Sequence, residues 1–183
     1  MTPDPATPCP TLAAVRLDRD GIDALLAQVA ETATAQGLKV RGVLHGVGAP
    51  GAAECDCAEM ALVPLGGGPA FRISQPLGKG STGCRLDPAG LADCAGFLER
   101  QIAAEGGDLV ILNRFGRGEA EGGGFRDVIA EAVGQGIPVL TALRPDFADA
   151  WQAFGGEAAC EVAADLDAIT DWLARARNET APA

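Results

Sequence analysis

The stretch Leu109-Val110-Ile111-Leu112-Asn113-Arg114-Phe115-Gly116 decides the fold class of this chain. Its apolar first half predicts a buried strand over 108–112, and its second half turns polar and then glycine-rich. In open α/β sheets, ligands bind where such strands end. The polar residues at this strand end are an amide, Asn113, and a cation, Arg114. A nucleotide hydrolase needs a carboxylate there to hold magnesium, so these residues favour holding an anion over hydrolysing a nucleotide.

Apolar strands alternate with amphipathic helices along the chain, which predicts a parallel sheet covered on both faces. A Gly-Gly-Gly-Pro turn over 66–69 predicts an antiparallel hairpin at one edge of the sheet. We therefore expect a single three-layer α/β domain with a mostly parallel sheet over residues 12–177, between a flexible tail (1–11) and a frayed one (178–183). Strands are predicted at 12–17, 38–45, 59–65, 70–75, 108–112, 137–143 and 160–163, and helices at 20–36, 88–105, 124–133, 145–154 and 165–177.

The bulk composition excludes several classes of protein. The net charge is −11, from 14 basic and 25 acidic residues, and such an acidic surface disfavours nonspecific binding to nucleic acid or anionic lipid. No apolar run approaches the roughly 20 residues of a membrane helix, and residues 1–10 lack the features of a secretion signal. We therefore expect a cytoplasmic protein. The six cysteines are scattered, and no second ligand pair accompanies Cys55 and Cys57, which favours free thiols over a zinc site.

The first strand-to-helix turn lacks a phosphate-binding loop. Such a loop would have the pattern GxxxxGK[ST] between the first strand and the first helix. The corresponding segment, 16–23, has one glycine, no lysine and three aspartates. Those carboxylates would repel a phosphate, so the segment argues against ordinary nucleotide hydrolysis.

A glycine-rich stretch over 78–85 has the chemistry of an oxyanion site. Its glycines free backbone amides to converge on one point, and Lys79, Ser81, Thr82 and Arg85 add further donors. The alternative interpretation is a solvated surface loop. The segment 113–127 also has two interpretations: it either binds an anion near a helix N-terminus or only ties loops together.

His45 ends the second predicted strand and would lie on the same sheet edge, although a lone histidine is more often a satisfied polar residue. We expect the two glycine-rich turns to meet at that edge and to point donors into a shared hollow. The candidate oxyanion-binding residues are His45, Lys79, Gly80, Ser81, Thr82, Gly83, Arg85, Asn113, Arg114 and Arg117, with no catalytic residue and no protein-bound metal among them.

The segments 75–87, 112–116, 119–122, 125–127 and 136–140 resemble an uncharacterised bacterial domain family. The likeness runs from about Leu12 to Leu173. The resemblance implies an α/β fold distantly like that of P-loop nucleoside-triphosphatases, in a degenerate form without their phosphate loop. It also implies a genomic setting, because such proteins are often encoded beside molybdate-transport or molybdenum-enzyme genes.

These residues and that setting lead to the prediction of a non-enzymatic binding protein for a tetrahedral oxyanion. Molybdate or tungstate would be its ligand, no other cofactor would be required, and its role would be molybdenum storage, homeostasis or delivery to molybdenum-enzyme or cofactor-assembly proteins. One alternative is a degenerate nucleotide-binding protein or switch with weak NTPase activity at most. Another is a ligand-free interaction or scaffold protein. We expect no nucleic-acid or membrane partner, and a homo-oligomer is compatible with each hypothesis.

Overall fold

The structure is a computed structural model that describes residues 10–16, 21–46, 60–76 and 84–180. Its strands are β1 (Leu12–Arg16), β2 (Val40–Gly46), β3 (Ala61–Pro64), β4 (Phe71–Arg72), β5 (Ser74–Pro76), β6 (Cys84–Leu86), β7 (Leu109–Phe115), β8 (Val139–Leu143) and β9 (Ala159–Glu161). Its helices are α1 (Ile22–Ala35), α2 (Pro88–Glu105), α3 (Arg117–Ala120), α4 (Arg126–Gly134), α5 (Ala148–Gly155) and α6 (Leu166–Thr180). Over these ranges, no helix has the length and apolar character needed to cross a membrane.

Seven of the strands form one mixed sheet in the order β4-β3-β2-β7-β8-β1-β9, and β5 and β6 pair as a separate antiparallel ribbon. From β2 to β9 each strand is parallel to its neighbour, so the carboxyl ends of these strands share one edge of the sheet. The hairpin of β3 and β4 adds an antiparallel piece beyond β2. The prediction of a mostly parallel sheet with an antiparallel edge hairpin is confirmed.

Helices cover both faces of the sheet, as predicted. One apolar layer joins α1 and α6 to strand residues such as Ala13 and Val15, and the other joins α2, α4 and α5 to residues such as Leu12 and Ala14. This alternation along one strand is expected for a strand that is buried on both sides. Trp151 and Trp172 are the largest side chains of these two layers, and each is 1% exposed.

The predicted strand 70–75 is split in the structure. The backbone amide of Ile73 donates to Met60 (2.8 Å) at the start of β3, and the Ile73 carbonyl accepts from Asp87 (2.9 Å). Ile73 thus ends the sheet pairing of β4, and from Ser74 onward the chain pairs with β6 instead. Long-range partners decide this break, so the local apolar pattern did not predict it. At the other end of the chain, α6 continues to Thr180, beyond its predicted end at 177.

Gly42 allows β2 and β7 to pack closely side by side. It pairs with Ile111 across the parallel ladder, and its φ of 115° lies in the left-handed region. A β-carbon at this position would overlap the backbone carbonyl of Ile111. On the other side, the Gly42 carbonyl accepts a hydrogen bond from the backbone amide of Leu65 (2.8 Å). Only glycine satisfies both the dihedral angle and the space available.

Candidate functional site

The topological switch point of the sheet lies between β1 and β8. The two strands are neighbours, but β1 leads to α1 on one face and β8 leads to α5 on the other. Open α/β sheets bind ligands at the carboxyl edge where neighbouring strands lead to opposite faces in this way. The described residues nearest this edge include the ends of β2, β7 and β8.

A bulge reshapes β7 where it reaches this edge. Leu112 pairs with Thr141 of β8, and Phe115 pairs with Leu143, so two residues of β7 stand opposite one residue of β8. Leu112 and Phe115 also lie in the same apolar layer, although a regular strand would put them on opposite faces. The bulge thus returns Phe115 to the core. The residues it displaces from regular pairing are Asn113 and Arg114, and bulges beside binding sites commonly re-aim side chains in this way.

This bulge corrects the predicted element boundary. The sequence placed Asn113 just after a strand ending at Leu112, because the apolar run stops there. In the structure β7 continues through Asn113 and Arg114 to Phe115, which is fully buried. The polar pair is therefore held inside a strand, where its backbone is fixed by the sheet.

Both displaced side chains carry buried polar atoms without a hydrogen-bond partner. Asn113 is 4% exposed, and its Oδ1 has no donor. The buried Nε of Arg114 has no acceptor. Within the described ranges, the only other such side-chain atoms belong to Gln101 and Trp151. A buried polar group without a partner costs about 1–3 kcal/mol, and these two stand in succession at the carboxyl edge of the sheet, where they are candidates for contact with a ligand.

His45 lies beside this pair on the neighbouring strand. Val43 of β2 pairs with Leu112 of β7, and His45 and Arg114 each stand two residues further toward the carboxyl edge. Burial is the main cause that lowers the pKa of His45 below its usual value, and the positive charge of Arg114 lowers it further. The carboxylate of Asp23, in the first turn of α1, acts in the opposite direction and raises that pKa. Both charges lie near enough to His45 to act on its pKa, so the start of α1 and the end of β7 lie near the end of β2.

The turn after β7 is organised by a buried carboxylate, Glu119, which is 6% exposed. One of its oxygens accepts from the backbone amide of Gly116 and the other from that of Phe125, each at 3.0 Å. Glu119, at the third position of α3, reaches back to the amide of Gly116 as in one half of a capping box; glycine has no side chain to form the other half, so the sequence lacks the usual signal.

We expect Glu119→Gln to lower the free energy of unfolding by about 1–3 kcal/mol, because one amide would face an NH₂ group and the charge-assisted bonds would be lost. Urea unfolding followed by circular dichroism measures this. Glu121→Gln is the matched control, since its side chain is 71% exposed and lies 3.7 Å from Arg117. That surface pair contributes at most about 1 kcal/mol. Equal losses in the two variants would show that Glu119 does not hold the turn.

The other predicted site residues have different placements. Arg117 is on α3, with its side chain 81% exposed and paired with Glu121 rather than directed at Asn113. Arg85 lies on β6, but only its backbone is described. Lys79, Gly80, Ser81, Thr82 and Gly83 lie outside the described residues, as do Cys55 and Cys57. The role of all these residues in binding stays a prediction.

The ribbon that carries the glycine-rich loop begins at the same sheet edge. β4 is antiparallel to β3, which is antiparallel to β2, so β4 runs toward the edge where β2 and β7 end. At the base of the ribbon, Ser74 is 3% exposed and its Oγ accepts from the backbone amide of Met60 (3.2 Å). Gln75 on β5 donates to the carboxylate of Asp87 (3.0 Å). The ribbon is thus tied to both the sheet and the start of α2.

A family model described as "Protein of unknown function (DUF2478)" matches residues 12–172, and the chain belongs to this family. Among curated proteins, the chain is similar to "Molybdenum import ATP-binding protein ModC 2" of Bradyrhizobium diazoefficiens, with 35% identity over 154 residues. The alignment covers 84% of this chain but 17% of that protein. The chain therefore spans a small part of its curated relative.

Among solved structures, the fold is similar to that in the "Solution Structure of a Human Cancer-Related Nucleoside Triphosphatase". The TM-score is 0.53 with 15% sequence identity, and the match covers 73% of this chain and 75% of the other. The fold is therefore that of a P-loop NTPase-like α/β protein, as the resemblance implied. At this identity the likeness concerns the fold.

The prediction that the protein is not an enzyme is contradicted by these likenesses. One relative is named as an ATP-binding protein, and the structural neighbour is a nucleoside triphosphatase. The prediction took the missing phosphate loop and the missing strand-end carboxylate as the absence of catalysis. Those features are one way to hold a phosphate chain and its metal, and other polar residues remain at the carboxyl edge in their absence.

Proposed function

We propose that the protein binds a nucleoside triphosphate at the carboxyl edge of its sheet, in the manner of a degenerate NTPase. The observation that carries this proposal is the bulge in β7, which holds Asn113 and Arg114 at the switch-point edge with polar atoms unpartnered. The NTPase-like fold and the similarity to an ATP-binding protein support the choice of a nucleotide over other anions.

Each residue of the pair has a distinct part in this proposal. Arg114 offers a permanent positive charge and donors that suit a phosphate oxygen. Asn113 offers an acceptor to a ligand hydroxyl or to a water next to the phosphate. An amide orients water but cannot take its proton, so we propose that hydrolysis at this site is slow.

Isothermal titration calorimetry with ATP and GTP, each with and without Mg²⁺, tests the proposal. We expect a Kd in the micromolar to millimolar range and slow release of inorganic phosphate. Arg114→Met purified by the same protocol shows whether any phosphate release comes from a contaminating enzyme. Absence of heat with both nucleotides under all conditions would contradict the proposal.

A second candidate function is the binding of molybdate or tungstate, and the similarity to a molybdenum import protein favours it. Neutral and cationic donors at the bulge suit a tetrahedral dianion as well as a phosphate. In this candidate, molybdenum-enzyme or cofactor-assembly proteins are the proposed partners. Calorimetry with molybdate, tungstate and sulfate separates the two: binding of molybdate without binding of nucleotide favours this candidate. Failure of all ligands favours a ligand-free interaction protein.

A further inference from the structure

We propose that the site at the carboxyl edge binds its anion together with a proton, and that His45 takes up this proton. The inference rests on the proposed function, because it concerns the same site. It specifies the ligand class as an anion with at least two negative charges on its terminal group, such as the γ-phosphate of ATP. A neutral or singly charged ligand would offset too little of the free-energy cost of protonating a partly buried histidine.

The geometry brings His45 next to the groups that control its charge. On β7 the facing group is Arg114; it and His45 both lie toward the carboxyl edge beyond Val43 and Leu112, the last pair that joins their two strands. On α1 it is Asp23. On β3, which pairs with β2 on the other side, the residues Ala61–Pro64 carry no charge. Over the described residues of these elements, His45 therefore has one cation and one anion acting on it.

The free site favours a neutral imidazole. Burial and the Arg114 charge both disfavour protonation, and together they outweigh the attraction of Asp23, so the pKa of His45 is lowered. An anion bound at Arg114 would neutralise that positive charge and offer the imidazolium an acceptor. The pKa of His45 would then rise, and a rise across the solution pH means that a proton binds with the anion.

The sign of the pH dependence follows from this linkage. Unfolded His45 has its ordinary pKa of about 6.5, so the free protein loses stability as the pH falls from above 6.5 through the depressed folded value. Anion binding has the opposite dependence, because the complex holds more protons than the free protein. Affinity therefore increases as the pH falls toward 6, and the gain is about tenfold for each unit by which the ligand raises the pKa.

The chain contains a single histidine, so its imidazole carbon-bound protons are assigned without ambiguity in an NMR titration. We expect a pKa below 6.5 in the free protein and a rise of about one unit or more when ATP is added at a concentration that calorimetry shows to be saturating. In the free protein, Arg114→Met should raise this pKa and Asp23→Asn should lower it further. These two variants test the geometry independently of any ligand.

Calorimetry in buffers of different ionisation enthalpy measures the protons taken up on binding. We expect uptake near pH 6.5 in the natural protein and a smaller uptake, attributable to the nucleotide itself, in His45→Gln. If ATP binds and the His45 pKa does not move, the inference is wrong and the proposed function stands. If ATP does not bind at all, the proposed function fails and this inference fails with it.

Discussion

Gly42→Ala is expected to remove most of the stability of the protein, with a loss above about 4 kcal/mol. The new β-carbon would overlap the carbonyl of Ile111, which is part of the ladder between β2 and β7. The backbone at Gly42 also has a φ of 115°, which an alanine adopts only with strain. Neither β2 nor β7 can shift without breaking other bonds, because Leu65 holds the Gly42 carbonyl from the opposite side. Urea unfolding, or the soluble yield if the variant does not fold, measures the loss.

Gly134→Ala is the matched control for this prediction. Gly134 is the last residue of α4, and a β-carbon there would meet no atom within 4 Å. Alanine is the better helix former, so we expect no loss and a gain of up to about 1 kcal/mol. If Gly42→Ala were as stable as Gly134→Ala, the close approach of β2 and β7 would be wrong, and the pairing of Gly42 with Ile111 would be wrong with it.

Arg114→Met is expected to weaken binding of the anionic ligand by roughly 10- to 150-fold, as calorimetry would measure it. This is the equivalent of about 1.5–3 kcal/mol for hydrogen bonds made by a charged group. The same substitution should leave the free energy of unfolding unchanged or slightly higher, because it removes a buried donor that has no partner. Loss of affinity without loss of stability distinguishes a binding residue from a structural one.

The control for Arg114→Met is Arg117→Met. Both residues carry the same charge on neighbouring elements, but the Arg117 side chain is 81% exposed and pairs with Glu121 across one helical turn. We expect its effect on affinity to stay within about threefold, since exposed charges act weakly through water and salt. An Arg114→Met variant that bound normally but unfolded at much lower urea would identify Arg114 as a residue of the fold.

Local patterns in the sequence were sufficient to predict the main architecture. Buried strands such as β7 and β8 are short apolar runs in the sequence. Helix α2 begins at Pro88, directly after Asp87, and both are residues typical of a helix start. The carboxylate of Asp87 accepts from the backbone amide of Ala89 at 3.0 Å and so caps the helix, which begins at the predicted residue. These features depend on residues close together in the chain, which is why periodicity and capping preferences find them.

Features that depend on distant partners were not predictable in the same way. The bulge lets β7 keep its pairing with β8 while Leu112 and Phe115 both pack in the same apolar layer. It is visible only in the pairing of Leu112 with Thr141 and of Phe115 with Leu143. The ribbon of β5 and β6 likewise forms because Ile73 finds partners at Met60 and Asp87. The amino-acid sequence does not state which strands pair or in which register, so neither the bulge nor the ribbon could be predicted from it.

The candidate site stays a prediction, but part of its arrangement follows from the sequence. Polar residues at strand ends indicated the carboxyl edge, and β2 and β7, which carry His45 and Arg114, are neighbours that end at that edge. The burial of Asn113 and the use of Glu119 by backbone amides could not be read from residue types, since both depend on how the turn after β7 folds back. Asp23, which the sequence presented only as a source of repulsion, raises the pKa of His45.

The strand order also determines how distant in the chain the two strands of the switch point are. β7, α3, α4 and β8 follow one another, whereas β1 pairs with β8 through residues as far apart in the chain as Leu12 and Val139. Pairing of such distant segments costs more loop-closure entropy than pairing of near ones and is associated with slow folding. We therefore expect that a ligand which needs the complete carboxyl edge binds only the fully paired sheet. Such a ligand would draw newly synthesised chains toward the native state by mass action.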